Sequence, residues 1–336
     1  MRICAGQKVI EYEVHIAKGA LARVGQLFDL ERRVLVVTDA GVPAQYATIV
    51  AGQCQSPVQV CLPRGEAGKS PACWQQLLQT MLEHNFDRHD CVVAVGGGVV
   101  GDVSGFAAAC YMRGIDFYNV PTTLLAQADA SVGGKTAINF GGVKNSVGAF
   151  YVPRGVLLDP AVLATLDGRQ LASGVAEIIK IGATCDVELV AHLEQCADLQ
   201  KELGDLLFRA VQLKQQVVEQ DFRETGLRKV LNFGHTVGHA IEAAAGGRLL
   251  HGECVGLGML CMCSAEVAVR LRNMLQKYQL PVVLPAGDFS RLPELLLHDK
   301  KARQGVVETV WVEKTGSFEF RQQSVPNILA KVERIR

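Results

Sequence analysis

This 336-residue sequence lacks a net charge, because its 34 lysines and arginines balance its 34 aspartates and glutamates. Proteins that bind nucleic acid or anionic membranes usually carry a basic excess, so neither partner is expected. No uninterrupted apolar run approaches the roughly 20 residues of a membrane-spanning helix. The first residues, MRICAGQKVIEYEVHI, alternate like a strand and lack the apolar core of a signal peptide. We therefore expect a cytoplasmic protein.

Paired cysteines are lacking as well. The 11 cysteines are an odd number, no two of them form a CxxC motif, and most lie inside apolar segments such as DCVVAV and FAAACYM. This pattern predicts buried free thiols in a reducing compartment rather than a disulfide framework. Cys261 and Cys263 would point about 200° apart on a helix, which disfavours a shared soft metal ion.

Strand signals lie mainly in the first half of the chain. Short apolar runs within residues 32–42, 91–112 and 116–127 alternate with helical patterns, which is typical of a parallel α/β sheet. Beyond about residue 160, helical periodicity dominates. No internal repeat or low-complexity linker is present. We therefore predict an α/β nucleotide-binding domain over residues 1–160 and an α-helical domain over residues 161–336.

A glycine-rich turn, GGGVVG at residues 96–101, follows a predicted strand and begins a predicted helix. It fits GxGxxG, in which glycines let a helix N-terminus approach a pyrophosphate. The turn is not in the first strand–helix unit, and the candidate ribose-binding acid, Asp39, lies upstream of it. The alternative that the turn is required only for packing therefore stays open. Asp102, directly after the glycines, is harder to explain by packing alone.

Residues 113–145 are rich in groups that recognise phosphates and hydroxyls. In chain order these groups are Arg113, Thr122, Thr123, Asp129, Lys135, Lys144 and Asn145. Glycine-rich turns that carry lysines present backbone N–H groups together with a cation, which suits a phosphate. A solvated loop with ordinary exposed lysines is the alternative.

Histidine is scarce, with 8 residues, yet His235, His239 and His251 lie close together in the chain and each adjoins a glycine. This clustering favours a metal or catalytic site over packed core histidines. HExxH is absent, so a metalloprotease of that type is not indicated. On a helix His235 and His239 would face the same side, and spacing alone favours them as the ligand pair. The segment SGVAEIIK offers a carboxylate, Glu177, with Lys180 one turn further on.

Six segments covering most of residues 60–260 carry a family pattern: GGGVVGDVSGFAAACYMRG, VPTTLLAQADASVGGKTAIN, VKNSVGAFYVP, SGVAEIIK, RETGLRKVLNFGHTVGHAIE and HGECVGLGM. They resemble the 3-dehydroquinate synthase family of sugar phosphate cyclases. The resemblance implies a Rossmann-like α/β domain that binds NAD and an all-α domain that binds Zn²⁺ or Co²⁺. It also implies conversion of 3-deoxy-D-arabino-heptulosonate 7-phosphate to 3-dehydroquinate and phosphate in the shikimate pathway, with NAD used and regenerated in each turnover.

The resemblance assigns roles to individual residues. It places the metal ligands at Glu177, His235 and His251, which leaves His239 facing the substrate. The implied NAD contacts are Asp39, Glu66, Lys69, Gly98, Val99, Val100, Gly101, Asp102, Thr122, Thr123, Lys135, Lys144 and Thr165. The implied substrate contacts are His239, Lys135, Asn145, Asp129, Lys180, Lys214, Arg228, Asn232, Arg113 and either Lys300 or Lys301. Arg113 is expected to reach the partner subunit's site in a homodimer.

Three alternatives stay open on the sequence. One is another sugar phosphate cyclase that forms an inosose or a valiolone, although the loops GGKTAIN and VKN favour the dehydroquinate branch. A metal-dependent polyol dehydrogenase is the second, but it would not need the phosphate-binding candidates, which are Arg113, Lys135, Asn145 and Arg228. A non-catalytic binding protein is the third, and it is disfavoured because buried charges are costly without a ligand.

Overall fold

The computed structural model describes residues 11–297, 302–303 and 306–336. The chain divides into two compact units, residues 1–166 and 167–336. It stays a prediction that residues 1–160 bind NAD and that residues 161–336 bind a metal ion. Within the described residues, no helix is both long enough and apolar enough to cross a bilayer. The ten cysteines of this part of the chain are free, as predicted, but only six of them are buried, and Cys61 and Cys110 are exposed.

The N-terminal unit is built on a parallel sheet. The strands of its described residues are β1 (Glu13–Ile16), β2 (Arg33–Asp39), β3 (Ser56–Leu62), β4 (Cys91–Gly96), β5 (Asp116–Pro121), β6 (Lys135–Phe140), β7 (Val143–Phe150) and β8 (Gly155–Leu158). Six of them form one sheet in the order β1-β8-β5-β4-β2-β3, and every neighbouring pair in it is parallel. The connecting helices are α1 (Val24–Leu27), α2 (Ala44–Ala51), α3 (Pro71–Glu83) and α4 (Gly98–Cys110).

The sheet is held by continuous apolar strands. All six residues of β4 are buried, as expected for a parallel strand that is covered on both faces. Leu77 and Met81 of α3 and Phe106 of α4 belong to the same core cluster as strand residues of β2 and β4. Helix α3 begins with a cap, because the Ser70 hydroxyl accepts a hydrogen bond from the backbone N–H of Cys73.

Strands β6 and β7 form a separate antiparallel hairpin. Its two-residue turn is Gly141-Gly142, with φ of 59° and 77°. Positive φ at both positions is the requirement of a type I′ turn, which explains the pair of glycines. Most of β7 is exposed, so the hairpin presents Lys144 and Asn145 to solvent.

The C-terminal unit is mainly helical. Its helices are α5 (Gly168–Cys185), α6 (Val187–Gln195), α7 (Leu199–Gln220), α8 (His235–Ala245), α9 (His251–Cys261), α10 (Ala265–Lys277), α11 (Leu292–Leu297) and α12 (Val325–Val332). The predicted order, an α/β half followed by a helical half, is confirmed. Helical periodicity did not predict the added antiparallel sheet of β9 (Ala302–Arg303), β10 (Val306–Trp311) and β11 (Glu319–Ser324), because its strands are short and carry charged residues.

Candidate active site

The predicted glycine turn connects β4 to α4. Gly96 ends the strand, Gly97 precedes the helix and Gly98 begins it. A Cβ on Gly96 would lie 2.5 Å from a methyl group of Val100, so glycine is required there by packing. Within the described part of the chain no side chain caps the helix, so its first N–H groups are available to an anion. Packing therefore requires a glycine at position 96, and phosphate binding by the first turn of α4 stays a prediction.

An ion pair lies beside this turn. The ammonium of Lys69, which is almost fully buried, is 2.5 Å from the Asp102 carboxylate on α4. Burial raises the pKa of Asp102, and Lys69 opposes that shift. Glu66 accepts a hydrogen bond of 2.6 Å from the amide of Asn139, whose oxygen accepts the backbone N–H of Asn145 at 3.0 Å. The backbone N–H of Asn139 also donates to the carbonyl of Lys69 at 2.9 Å, which joins Glu66, Lys69, Asp102 and Asn145 in one polar network.

Other predicted nucleotide contacts lie where parallel strands end, the edge at which α/β sheets bind ligands. Asp39 ends β2, and its carboxylate accepts the N–H of Gly41 at 2.6 Å. Thr122 follows β5 and donates its backbone N–H to the carbonyl of Gly96. Thr165 lies further along the chain, at the end of a 3-10 helix (Pro160–Thr165) that follows β8, and it shares a hydrogen bond of 2.9 Å with the hydroxyl of Tyr46.

A small cavity adjoins the start of α4. Residues that line it include Gly98, Gly101, Asp102, Asn119, Ser131 and Lys135. Asn119 is 7% exposed, and a Cβ on Gly101 would lie 3.0 Å from its amide nitrogen. Sequence motifs missed Asn119, although a polar residue inside the apolar strand DFYNVP was a usable signal. The cavity brings predicted NAD and substrate contacts, Asp102 and Lys135, to one place.

Arg113 is not part of this group. It follows the carboxyl end of α4, whereas the glycine turn is at the amino end, roughly 20 Å away along a 13-residue helix. Met112 and Arg113 have φ of 48° and 67°, a left-handed conformation that is costly for residues with side chains. Both side chains are exposed. Asp129 lies instead in a short π-helix, Ala126–Ala130, near the cavity-lining Ser131.

Three helices of the C-terminal unit bring together the predicted metal ligands. The Oε1 atom of Glu177, on α5, lies 3.4 Å from Nε2 of His251 on α9 and 3.9 Å from Nε2 of His235 on α8. One ring nitrogen each of His235, His239 and His251 lies within 4.8 Å of the others. Four donors therefore converge, and the geometry alone does not separate His239 from the predicted ligands.

This group fits a divalent metal ion. Glu177 is fully buried, and among the described residues its Oε1 atom has no hydrogen-bond donor. Its other oxygen pairs with the ammonium of Lys180 at 2.5 Å. A buried, unsatisfied carboxylate oxygen that faces two imidazole nitrogens is the donor set preferred by Zn²⁺ and suited to Co²⁺.

The two imidazoles are oriented by their other ring nitrogen. Nδ1 of His235 donates to the carbonyl of Phe233 at 3.1 Å, and Nδ1 of His251 donates to the Glu242 carboxylate at 3.0 Å. Burial holds the pKa of His235 well below its usual range, with Lys180 adding to that effect. Burial alone would lower the pKa of His251, but the negative charges of Glu177 and Glu242 beside its two ring nitrogens raise it to about 10. A cation bound here would take the place of that proton.

Glycines explain how the helices approach so closely. A Cβ on Gly252 would overlap the backbone carbonyl of Ser173 on α5, and one on Gly258 of α9 would overlap the carbonyl of Gly234. A Cβ on Gly238 would lie 2.9 Å from the carbonyl of Cys254. The glycines beside the histidines are therefore required for packing, and packing brings the donor atoms together.

A salt bridge between α5 and α9 supports the same arrangement. The guanidinium of Arg169 makes two bonds to the Glu253 carboxylate, at 2.5 and 2.7 Å. Glu253 also accepts the backbone N–H of Leu250 at 2.7 Å, which closes the first turn of α9 where His251 lies. Sequence motifs missed Arg169 and Glu253. The available signal was a glutamate in the first turn of a predicted helix.

The remaining predicted substrate contacts in this unit are largely buried cations. Lys180, Lys214 and Arg228 are 1%, 3% and 2% exposed. Arg228 donates to the carbonyl of Phe222 at 2.5 Å, and the amide of Asn232 donates to Glu224 at 2.6 Å. Lys300 and Lys301 lie outside the described residues.

Sequence comparison gives the relationship of this chain to known proteins. Residues 59–173 match the model of the 3-dehydroquinate synthase N-terminal region, and residues 174–302 match that of the C-terminal region. A 3-dehydroquinate synthase of Acaryochloris marina is 41% identical over 93% of this chain and 92% of its own length.

Solved structures share the fold. A 2-deoxy-scyllo-inosose synthase complexed with carbaglucose-6-phosphate, NAD⁺ and Co²⁺ is 23% identical, with a TM-score of 0.89 over 100% of both chains. A 2-epi-5-epi-valiolone synthase of Streptomyces hygroscopicus with NAD⁺ and Zn²⁺ bound is 28% identical, with a TM-score of 0.88 over 98% of both chains. Both are more distant in sequence than the Acaryochloris relative. The matched regions cover most of the sequence, and the chain belongs to the 3-dehydroquinate synthase family.

Proposed function

We propose that this protein is a 3-dehydroquinate synthase, which converts 3-deoxy-D-arabino-heptulosonate 7-phosphate to 3-dehydroquinate and phosphate. The observation that carries the proposal is the convergence of Glu177, His235 and His251 in a chain that is 41% identical to such an enzyme over 93% of its length. The inosose and valiolone synthases are more distant, at 23% and 28% identity. The dehydroquinate reaction is therefore preferred over theirs.

NAD is proposed to bind the N-terminal unit. The uncapped first turn of α4 offers N–H groups to the pyrophosphate, and Asp39 at the end of β2 offers a carboxylate to ribose hydroxyls. Lys69 and Asp102 lie beside the same turn. Lys135, which lines the cavity there, is proposed to hold the leaving phosphate together with Asn145, because a cation and an amide stabilise its charge.

In the C-terminal unit, Glu177, His235 and His251 are proposed to hold the metal ion. Bound Zn²⁺ or Co²⁺ would supply Lewis acidity toward substrate hydroxyls, and NAD would supply hydride chemistry. Lys180, buried beside Glu177, places a positive charge where negative charge develops on substrate oxygens. His239, on the same face of α8 as His235, is proposed to exchange a proton with the substrate.

The reaction class follows from these roles. Oxidation of the C5 hydroxyl makes the neighbouring C–H acidic, so that phosphate elimination needs only a weak base. Reduction of the ketone regenerates NAD, and an intramolecular aldol step closes the carbocycle. The protein is therefore proposed to be a carbon–oxygen lyase without net redox change. A polyol dehydrogenase would instead release NADH.

The decisive experiment incubates the purified protein with the heptulosonate phosphate, catalytic NAD and Zn²⁺. We expect stoichiometric release of phosphate and dehydroquinate without accumulation of NADH. Net NADH formation would identify a dehydrogenase. Absence of both products, with metal and NAD shown to be bound, would refute the proposal.

We further propose a cytoplasmic homodimer. Arg113, a candidate phosphate ligand, is roughly 20 Å along α4 from the glycine turn of its own protomer, which favours a role in the partner subunit's site. The free cysteines support a reducing compartment. Light scattering gives the mass of the assembly. In a mixed dimer, a protomer that is inactivated in its own metal site but keeps Arg113 should restore activity to the site of an Arg113→Ala protomer.

A further inference from the structure

His251 lies between two carboxylates that come from different helices. On one side its Nε2 atom is 3.4 Å from Glu177, a proposed metal ligand. On the other side its Nδ1 atom is 3.0 Å from Glu242 on α8, which has no assigned role. The carboxylate of Glu242 can only accept, so Nδ1 carries the proton and Nε2 is left to face the metal group.

The two histidine ligands are oriented in different ways. His235 donates its Nδ1 proton to a backbone carbonyl of its own segment, that of Phe233. His251 is the first residue of α9, so its own helix offers it no preceding turn, and its partner comes from another helix. The connection from α8 to α9 contains Gly246 and Gly247, both with positive φ, a conformation that glycine adopts without steric cost.

We propose that Glu242 is a positioning residue for the metal ion: it fixes the tautomer and ring orientation of His251 and raises the basicity of Nε2. Metal-bound histidines commonly donate to such a carboxylate, and loss of that partner lowers metal affinity about 10- to 100-fold. The inference rests on the proposed function only in placing a metal ion at Glu177, His235 and His251.

The test measures metal binding to apo protein by competition with a chromophoric chelator. Zn²⁺ affinity is expected to fall toward 100-fold in Glu242→Ala and about tenfold in Glu242→Gln, which keeps an uncharged acceptor. The visible spectrum of the Co²⁺-loaded protein should shift in both variants, because the ligand field of His251 changes. A contact that only ties α8 to α9 would leave that spectrum unchanged.

A matched control is available in the same unit. Glu202 accepts from His192 at 2.9 Å, and this pair is exposed to a degree similar to that of Glu242 and His251. Glu202→Gln should leave Zn²⁺ affinity and the Co²⁺ spectrum unchanged. If Glu242→Ala does not fold, Glu242→Gln decides the question.

Two failures are distinguishable. Wild-type affinity and spectrum in the Glu242 variants would overturn this inference and leave the proposed function intact. A wild-type protein that binds neither Zn²⁺ nor Co²⁺ would overturn the metal site itself. Activity is not needed for either conclusion.

Discussion

The N-terminal unit presents its candidate cofactor site largely through backbone, whereas the C-terminal unit builds its candidate metal site from side chains of three helices. At the glycine turn, the proposed phosphate donors are backbone N–H groups of consecutive residues, Gly98 to Val100. At the metal group, Glu177, His235 and His251 come from α5, α8 and α9. The first site depends on one local conformation, and the second depends on helix packing.

The largest expected effect separates the four donors of the metal group. His251→Ala should lower Zn²⁺ affinity by more than about 100-fold, because losing a metal ligand weakens binding more than losing a residue that only orients a ligand. His239→Ala should keep the metal and lower kcat by about 10²- to 10⁴-fold, the range for a general acid or base. Metal content after dialysis and steady-state kinetics check both variants.

Loss of metal in both variants would make His239 a ligand. The assignment of Glu177, His235 and His251 as the complete set would then be wrong. Since the ring nitrogen of His239 lies within 4.8 Å of those of the other two histidines, this outcome is geometrically accessible.

The contrast between the sites also explains what the sequence could predict. Residues 96–102 follow a strand and begin a helix, so their backbone geometry is local and their role could be inferred from a short motif. Spacing also found the histidine cluster. Spacing could not identify the metal ligands. Periodicity shows which residues share one face of a helix, but it does not show which other helix packs against that face. His235 and His239 were the pair favoured by spacing, and only the family resemblance assigned Glu177 and His251 as ligands in place of His239.

The residues that sequence motifs missed have long-range partners. Asn139 joins Glu66 to Asn145, and Arg169 joins α5 to the first turn of α9. The contacts of Asn139 with Glu66 and of Arg169 with Glu253 join segments far apart in the chain, so no local pattern encodes them. The added sheet β9–β11 was missed for a different reason, since short strands with charged residues give a weak periodic signal.

Packing at the metal group is tested by Gly252→Ala. The added Cβ would overlap the carbonyl of Ser173, a backbone atom that cannot rotate away, so unfolding free energy should fall by about 1–3 kcal/mol. Zn²⁺ affinity should fall with it. In Gly204→Ala on α7, the Cβ would meet no atom within 4 Å, and stability should rise by up to about 1 kcal/mol. Chemical unfolding followed by circular dichroism measures both, and equal behaviour of the two variants would contradict the packing argument.

The backbone site is tested by Gly98→Ala. A Cβ there would lie 3.3 Å from Ala130, a contact that small shifts relieve, so stability should change little. The same Cβ would obstruct a phosphate that approaches the helix N-terminus, and NAD affinity should fall about tenfold. Zn²⁺ affinity should not change. Calorimetry with NAD and with Zn²⁺ measures the two effects separately, and unchanged NAD affinity would assign the turn to packing alone.

The smallest effect is expected at Arg169. Its side chain is 51% exposed, so Arg169→Ala should lower the unfolding free energy by about 1 kcal/mol or less, although Glu253 is only 7% exposed. Glu253 keeps its bond to the N–H of Leu250, so the first turn of α9 should persist. The packing of α9 on α5 should change, and Zn²⁺ affinity should therefore fall about threefold.

Arg270→Ala is the control for this variant. Arg270 makes the same two-pronged contact with Glu194, at 2.5 and 2.7 Å, but it joins α10 to α6, neither of which carries a proposed metal ligand. The two substitutions should cost similar stability, and only Arg169→Ala should weaken Zn²⁺ binding. Equal Zn²⁺ affinities in the two variants would show that α5 and α9 keep their register through the glycine contacts alone. The candidate metal site would then depend on backbone packing as closely as the glycine turn does.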